Sequence, residues 1–468
     1  MDNIQNAMQI IKKAKKIAEK CPYRPQFHFL APANWLNDPN GPIFYKGEYH
    51  LFYQHNPYGE QWGNIHWGHA KSKDLVHWEH LPIALAPTYE LHEEHCFSGC
   101  CVNNNGIPSI IYTSIGSERL PSTGAEQWIA TSADDMLTWR KSPINPIMTL
   151  DIHGDLDVRE WRDPYIWKEK KYWYMTLGGH IYNSRAGIAL LYRSKDLIQW
   201  EYLNPLCMGE KNKKLTGKNW ECPNFFPLND KHILIISPQK RVIYNIGTYK
   251  NHEFIPGYWR ILDHGRVFYA PNTMVDKHGR IIMWAWIQGG GTGGWNGCLT
   301  LPRIITLGKD GKLEFTPAPE LQKLRESNVN FNHITVSSES IHILDKIKYP
   351  LIEIVVEFEI VDALSFGISI FKNKKNEENE TIGYDIEKKQ LWAGKERGKI
   401  KSLDNNKKFK LHIYIDRSVI EVFLNYKECL TSRIYPKMID SGGIDVFCDK
   451  GKANILSLDI WTLKSIWY

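Results

Sequence analysis

The chain has 468 residues, 58 basic and 52 acidic side chains for a net charge of +6, and apolar and charged shares of 43% and 24%. That length gives one large domain or two ordinary ones with ample core, and the composition is that of a globular protein. A small positive charge spread along the chain offers no basic patch for nucleic acid. A stock of 18 Trp, 23 Tyr and 17 Phe instead suits a site that stacks the apolar faces of sugar rings.

The first stretch, MDNIQNAMQIIKKAKKIAEKCPYRP, lacks the unbroken apolar run of a signal peptide. Ile4, Met8, Ile11 and Ala14, with Ala7 and Ala18 beside them, fit one face of a short basic helix over residues 1–22, docked on the rest of the chain. No segment reaches the roughly 20 apolar residues of a membrane span. The nine cysteines, odd in number and irregularly spaced, read as reduced thiols, so a cytoplasmic location without a membrane partner is expected.

Next comes NWLNDPNGPIFYKGEYHLFYQHNP, where Asn37-Asp38-Pro39-Asn40-Gly41 precedes an aromatic strand. Each of those residue types suits a tight turn, and alone the run reads as one. Three later segments, from Ser72, Ser132 and Ser194, resemble one another and place Trp78, Trp139 and Trp200 at successive intervals of 61 residues. A fixed repeat with room for about four short strands is the signature of a propeller blade. The strand-opening segments also align: Asp38-Pro39-Asn40-Gly41, Phe97-Ser98-Gly99, Arg162-Asp163-Pro164, Glu221-Cys222-Pro223-Asn224 and Phe268-Tyr269-Ala270-Pro271-Asn272. Five openings over roughly residues 30 to 300 predict five blades. Because each blade's innermost strand lines the central channel, Asp38, Asp163 and Glu221 are expected to converge at one mouth as equivalent positions.

Three acids also suit a divalent cation, yet the openings lack the local oxygen-rich loop of a calcium site. His92-Glu93-Glu94-His95-Cys96 lacks a CxxC partner. No metal or other cofactor is therefore expected. The aromatics around the openings favour a small polyol substrate. QGGGTGGWNG at 288–297 matches no phosphate-binding fingerprint and reads as a flexible loop.

Beyond about 325 the pattern changes. FKNKKNEENE reads as a solvated hairpin tip, while LIEIVVEFEI and KLHIYIDRSVIEVFL alternate as half-buried strands do. The expected organisation is all-β: a five-bladed β-propeller over 23–324, then a structural β-sandwich over 325–468.

Glycoside cleavage needs one ionised and one protonated carboxyl group flanking the bond. Asp38, among turn amides and Asn side chains, reads as the stabilised anion. Glu221, between Trp220 and Cys222, reads as the desolvated acid that carries the proton.

At these residues the chain resembles glycoside hydrolase family 32, the invertase and fructanase family. The resemblance is carried by Trp35-Leu36-Asn37-Asp38-Pro39-Asn40-Gly41, Trp62-Gly63-Asn64-Ile65-His66-Trp67-Gly68-His69, Phe97-Ser98-Gly99, Trp161-Arg162-Asp163-Pro164, Glu221-Cys222-Pro223, Gly294-Trp295-Asn296-Gly297 and IDRSVIEVFLN at 415–425. It implies Asp38 as nucleophile, Glu221 as general acid/base and Asp163 as transition-state stabiliser. It also implies Asn37, Gln54, Trp62, Phe97, Ser98, Arg162 and Trp286 around the terminal fructosyl unit, and Asp263 near the leaving group. Trp161 replaces a more usual Phe, and Val267 stands where bacterial relatives commonly carry an acid. The implied activity is hydrolysis of terminal β-fructosyl residues from sucrose, sucrose 6-phosphate or short fructo-oligosaccharides, with retention. Arg119, Lys240 and Arg266 are candidate partners for a phosphate. The rival readings are an inverting arabinan- or xylan-type glycosidase and a non-catalytic carbohydrate-binding propeller; the latter has no use for three channel acids, whose burial costs stability. The sequence assigns no oligomeric state.

Overall fold

Short aromatic and β-branched runs punctuated by Gly, Asn and Lys-rich turns fold here, in the first part of the chain, as antiparallel groups of four or five strands. The computed structural model describes residues 3–117, 120–182, 186–209, 214–291, 293–340, 344, 351–372, 379–400, 407–437 and 442–467. Arg119 and residues 373–378 of the expected hairpin tip lie outside the described residues.

The chain divides into two compact units, the first comprising residues 1–21, 30–262 and 269–307. Within it, five groups follow one another, opened by the strands Asn34–Tyr45, His95–Asn104, Val158–Glu169, Glu221–Leu228 and Phe268–Val275. These opening strands line one axial cavity of about 310 Å³, through Ile43, Cys101, Tyr165, Phe226 and Asn272 among others. Side-chain amides tie them together. Asn272 Nδ2 donates to the carbonyls of Pro39 and Gly99 at 3.2 and 3.3 Å, and Asn224 Nδ2 donates to that of Pro271 at 2.9 Å. The ring closes where Asn34 and Trp35 pair in parallel with Trp295 and Asn296 of the last group. This is a five-bladed propeller.

The 61-residue repeat is a turn. Ser72, Ser132 and Ser194 donate through Oγ to Asp74, Asp134 and Asp196, and Leu75, Met136 and Leu197 each take a left-handed φ near 70°. Each such turn joins the third and fourth strands of its blade.

The N-terminal helix spans Asn3–Ala18 and buries Ala7, Ile11 and Ala18, with Ile4 and Met8 packing toward Ile83. The glycine-rich stretch at 288–297 differs from the expected flexible loop. Its ends belong to the paired strands Ile281–Gly290 and Trp295–Leu299. Gly294, at φ +86°, lies so near the helix that a Cβ there would come within 2.8 Å of the Ala18 nitrogen. The glycines serve close backbone approach.

The second unit comprises residues 22–29, 263–268 and 308–468. A six-stranded and a five-stranded antiparallel sheet enclose a core that includes Ile354, Val356, Phe366, Ile368, Leu411 and Val422. Alternating strands such as Leu351–Ile360 supply it, and this is the expected sandwich. The division differs from the expected boundary at 324/325: the main stretch of this unit begins at residue 308, and two short stretches from earlier in the chain also belong here. Asp416 holds one of them, accepting from the backbone N–H groups of Gln26, Phe27 and His28 at 2.7, 2.8 and 2.8 Å.

Candidate active site

Each of the first four opening strands breaks its register at the segments singled out in sequence. The shifts fall between Leu36 and Pro39, between Cys96 and Gly99, at Asp163-Pro164 and between Glu221 and Asn224. Such bulges bend a strand and re-aim its side chains. Asp163, Cys222 and Ala270, each just before a proline, take φ of +65°, +47° and +46°.

Two interlocked sets of side chains result. In the first, Asp38 Oδ2 accepts from Ser98 Oγ at 2.5 Å and Oδ1 accepts from Asn37 Nδ2 at 3.1 Å. A relay fixes those donors: Trp35 Nε1 donates to Asn37 Oδ1 at 2.7 Å, Asn37 Nδ2 to Gln54 Oε1 at 2.6 Å, and Gln54 Nε2 to Ser98 Oγ at 2.7 Å. The Cys222 thiol lies 3.7 Å from Asp38 Oδ2 and 3.5 Å from Asp163 Oδ2, and it bridges the two acids. Asp163 is buried, and its Oδ2 also accepts from the Cys222 N–H at 2.9 Å.

The second set surrounds Glu221. Arg162 Nη2 donates to Oε1 at 2.5 Å, joined there by Gln239 Nε2 at 2.9 Å and Asn219 Nδ2 at 3.5 Å. The Tyr269 hydroxyl donates to Oε2. Arg162 is itself held by Glu160 at 2.6 Å. The expected convergence of Asp38, Asp163 and Glu221 is therefore present, but their equivalence is not. The residue before each proline is Asp38, Asp163, Cys222 or Ala270, whereas Glu221 stands one place earlier, in line with Arg162 and Tyr269. A bulge turns successive residues to different partners, so the acids fall into two sets.

Burial pushes the Asp38 carboxyl up to about 7, with the Asp163 charge adding to the rise and the Ser98 and Asn37 bonds opposing it. Burial also raises Asp163, against the pull of Arg162. This reverses the expectation of an easily formed Asp38 anion. Two hydrogen bonds do not offset desolvation beside a second carboxylate.

Trp62, 52% exposed, meets Phe97 edge-on with ring centroids 6.2 Å apart. Trp35 and Trp286 meet edge-on at 5.6 Å. The Trp286 Nε1 is buried with no partner among the described residues. Gly297, at φ +78°, leaves room for that ring, since a Cβ would sit 2.8 Å from Nε1. Asn37, Gln54, Ser98 and Arg162 thus join the acids, and Phe97 adjoins Ser98.

Asp263 is a correction. It belongs to the second unit, fully buried, and accepts from Thr431 N at 2.9 Å, Thr431 Oγ1 at 2.7 Å and Gly265 N at 2.8 Å. A carboxylate so engaged ties its own turn to Thr431 rather than binding a sugar. Arg266 lies in the same unit, where its N–H donates to Glu396 at 3.0 Å. Lys240 is exposed, and its Nζ donates to the Lys214 carbonyl at 2.9 Å. Sequence reading passed over Tyr269 and Gln239. Tyr269 carried a signal, because it precedes Ala270-Pro271 just as Glu221 precedes Cys222-Pro223. Gln239 sits in a hairpin turn with no such mark.

Residues 28–317 match the N-terminal domain of glycosyl hydrolases family 32, and residues 320–462 match the C-terminal domain of that family. A sucrose-6-phosphate hydrolase of Zymomonas mobilis is 36% identical over 99% of this chain and 96% of its own length. A levanase of Bacillus subtilis is 33% identical over 95% of this chain and 71% of its own. Among solved structures, a Bombyx mori family 32 β-fructofuranosidase superposes with a TM-score of 0.83 at 28% identity, covering 99% of this chain and 98% of its own.

Proposed function

The chain belongs to glycosyl hydrolase family 32 and is a glycoside hydrolase, and from that premise we propose that it removes terminal β-fructofuranosyl units from sucrose-like substrates by double displacement with retention. One observation carries this reading: Asp38 and Glu221 come from different blades, and each is held by its own set of polar partners, with the exposed Trp62 packed on Phe97, the neighbour of Ser98. In the first step, protonated Glu221 gives its proton to the glycosidic oxygen as the bond to C2 breaks. The ionised Asp38 carboxylate then bonds to C2. In the second, Glu221 takes a proton from water as the water oxygen attacks C2, and the ester to Asp38 breaks. Asp163, with Oδ2 held by Cys222, offers Oδ1 to sugar hydroxyls as charge develops on the ring. Arg162 and Asn37 orient the acids, and Trp62, Phe97 and Trp286 supply apolar contact.

Incubation with sucrose should release equal glucose and fructose. Turnover in dilute methanol should yield methyl β-fructofuranoside before free fructose mutarotates. The α-anomer would establish inversion, and sugar binding without release would leave a lectin. The relative from Zymomonas mobilis is named for sucrose 6-phosphate, and Lys240, exposed one residue beyond Gln239, is the cation we assign to a phosphorylated leaving group. Lys240→Ala should then raise KM for sucrose 6-phosphate several-fold and leave that for sucrose unchanged. An equal change in both removes Lys240 from that role.

A further inference from the structure

Glu221 has to change its protonation state twice in each proposed turnover, and the two sides of its carboxyl group are furnished very differently. Oε1 is saturated, with donors from Arg162, Gln239 and Asn219. None of those groups, as placed, has a lone pair to accept a proton from a neutral acid. Oε2 meets a single described partner, the Tyr269 hydroxyl. A hydroxyl differs from an amide or guanidinium because it rotates and both donates and accepts.

Tyr269 is also fixed by two groups of the adjoining blade. The Gln239 N–H donates to its oxygen at 3.0 Å, and the Ser237 carbonyl lies 3.1 Å away as a second acceptor for its proton. Gln239 takes a left-handed φ of +58°, so its backbone faces Tyr269 while its side chain reaches Glu221. A non-glycine residue in that region marks a backbone held by its surroundings. The hydroxyl therefore has two acceptors at one fixed oxygen position. The charged and titratable groups around Glu221 are Arg162, Asp163, Asp38, Cys222 and Tyr269 itself. Arg162 and the acids act on both oxygens through space, whereas among the described residues only Tyr269 bonds Oε2.

We propose that Tyr269 is a positioning residue that works as a hydrogen-bond switch: it donates to Glu221 Oε2 when the acid is ionised and turns to the Ser237 carbonyl when Oε2 carries the proton. Oε2 is then the oxygen that protonates the leaving group and later accepts the proton from water. The proton count is unchanged by the switch, since only the direction of one O–H bond alters. Gln239 locks the arrangement, with its backbone on Tyr269 and its side chain on Oε1. This inference rests on Glu221 being the acid/base of the proposed reaction.

The test is the pH dependence of kcat/KM for sucrose and for an aryl β-fructofuranoside with a low-pKa phenol, in wild type, Tyr269→Phe, Gln239→Ala and Glu221→Gln. Tyr269→Phe removes a donor that favours ionised Glu221, so the alkaline limb should move up by about one pH unit. On the aryl substrate, where breakdown of the ester limits turnover, kcat should fall about tenfold because the ionised base loses its orienting donor. Gln239→Ala keeps the backbone N–H on Tyr269 and should move the limb in the same direction by less. A Tyr269→Phe profile that keeps the wild-type limb, in a variant with an unchanged melting temperature, overturns the switch. If Glu221→Gln loses equally on both substrates, the acid/base reading itself falls, and the two failures are told apart.

Discussion

Asp38 accepts from Ser98, Asn37 and the Cys222 thiol but lies beside the buried Asp163, and its carboxyl is pushed up to about 7. As the proposed nucleophile it must be ionised, so log kcat/KM for the free enzyme should fall with unit slope below about pH 7. The same group tunes stability. Its folded pKa lies above the unfolded value near 3.8, so the folded state binds the proton more tightly. The resulting penalty is absent below about pH 4 and complete above about pH 7. Asp38→Asn should therefore abolish turnover and, at pH 8, leave the fold on the order of 2–4 kcal/mol more stable than wild type, with the gain vanishing at pH 4. Denaturant melts at both pH values check the sign, and a variant less stable at pH 8 contradicts it. Asp163→Asn should lower kcat and kcat/KM together with little change in KM, because the proposed contact strengthens only as ring charge develops. A rise in KM alone would make Asp163 a ground-state binder.

The elements that bring these residues together are the bulged openings of the blades, and they were legible because a proline or a glycine punctuates each one. Sequence also carried the repeat at Trp78, Trp139 and Trp200, which the structure identifies as a serine-aspartate turn. The bulge register was not legible. A shift of one residue is invisible in a pattern of residue types, which is why Glu221 was aligned with Asp38 rather than with Arg162 and Tyr269. Asp263 misled for a different reason, since a buried acid that caps backbone N–H groups has the same letter as one that binds sugar. Gly297 is the element-scale point most open to test. A Cβ there would come within 1.9 Å of the Leu36 carbonyl and press on Trp286, at a φ of +78° that side chains rarely adopt. Gly297→Ala should destabilise the chain by about 1–3 kcal/mol and raise KM for sucrose through displacement of Trp286. Unaltered KM and unaltered melting would mean that the strand shifts freely.

On the scale of the whole molecule, the second unit is assembled from three separate stretches of chain, and one of them, residues 22–29, precedes nearly everything else. Its anchor is His28, fully buried, with Nδ1 2.8 Å from Asp416 and Nε2 3.0 Å from Glu421. Desolvation alone would lower the His28 pKa, but the two acids outweigh it and the net direction is upward. The stabilisation from protonated His28 is thus fully present below its unfolded value near 6.5 and is lost as pH rises through the higher folded value. Removing one partner from a buried charged set leaves the rest uncompensated, at about 3–5 kcal/mol. His28→Ala should cost that much near pH 6, with the gap to wild type narrowing at higher pH. A fragment of residues 308–468 lacks the segment altogether, leaving Asp416 without three backbone donors and without its imidazole partner. We expect that fragment to melt well below the full chain, and a synthetic peptide of residues 22–29 to raise its melting temperature in a concentration-dependent way. The same peptide with Ala in place of His28 should fail to do so. A fragment that melts at the temperature of the full chain, or that gains equally from both peptides, would show that the N-terminal stretch is carried by the sandwich and does not complete it.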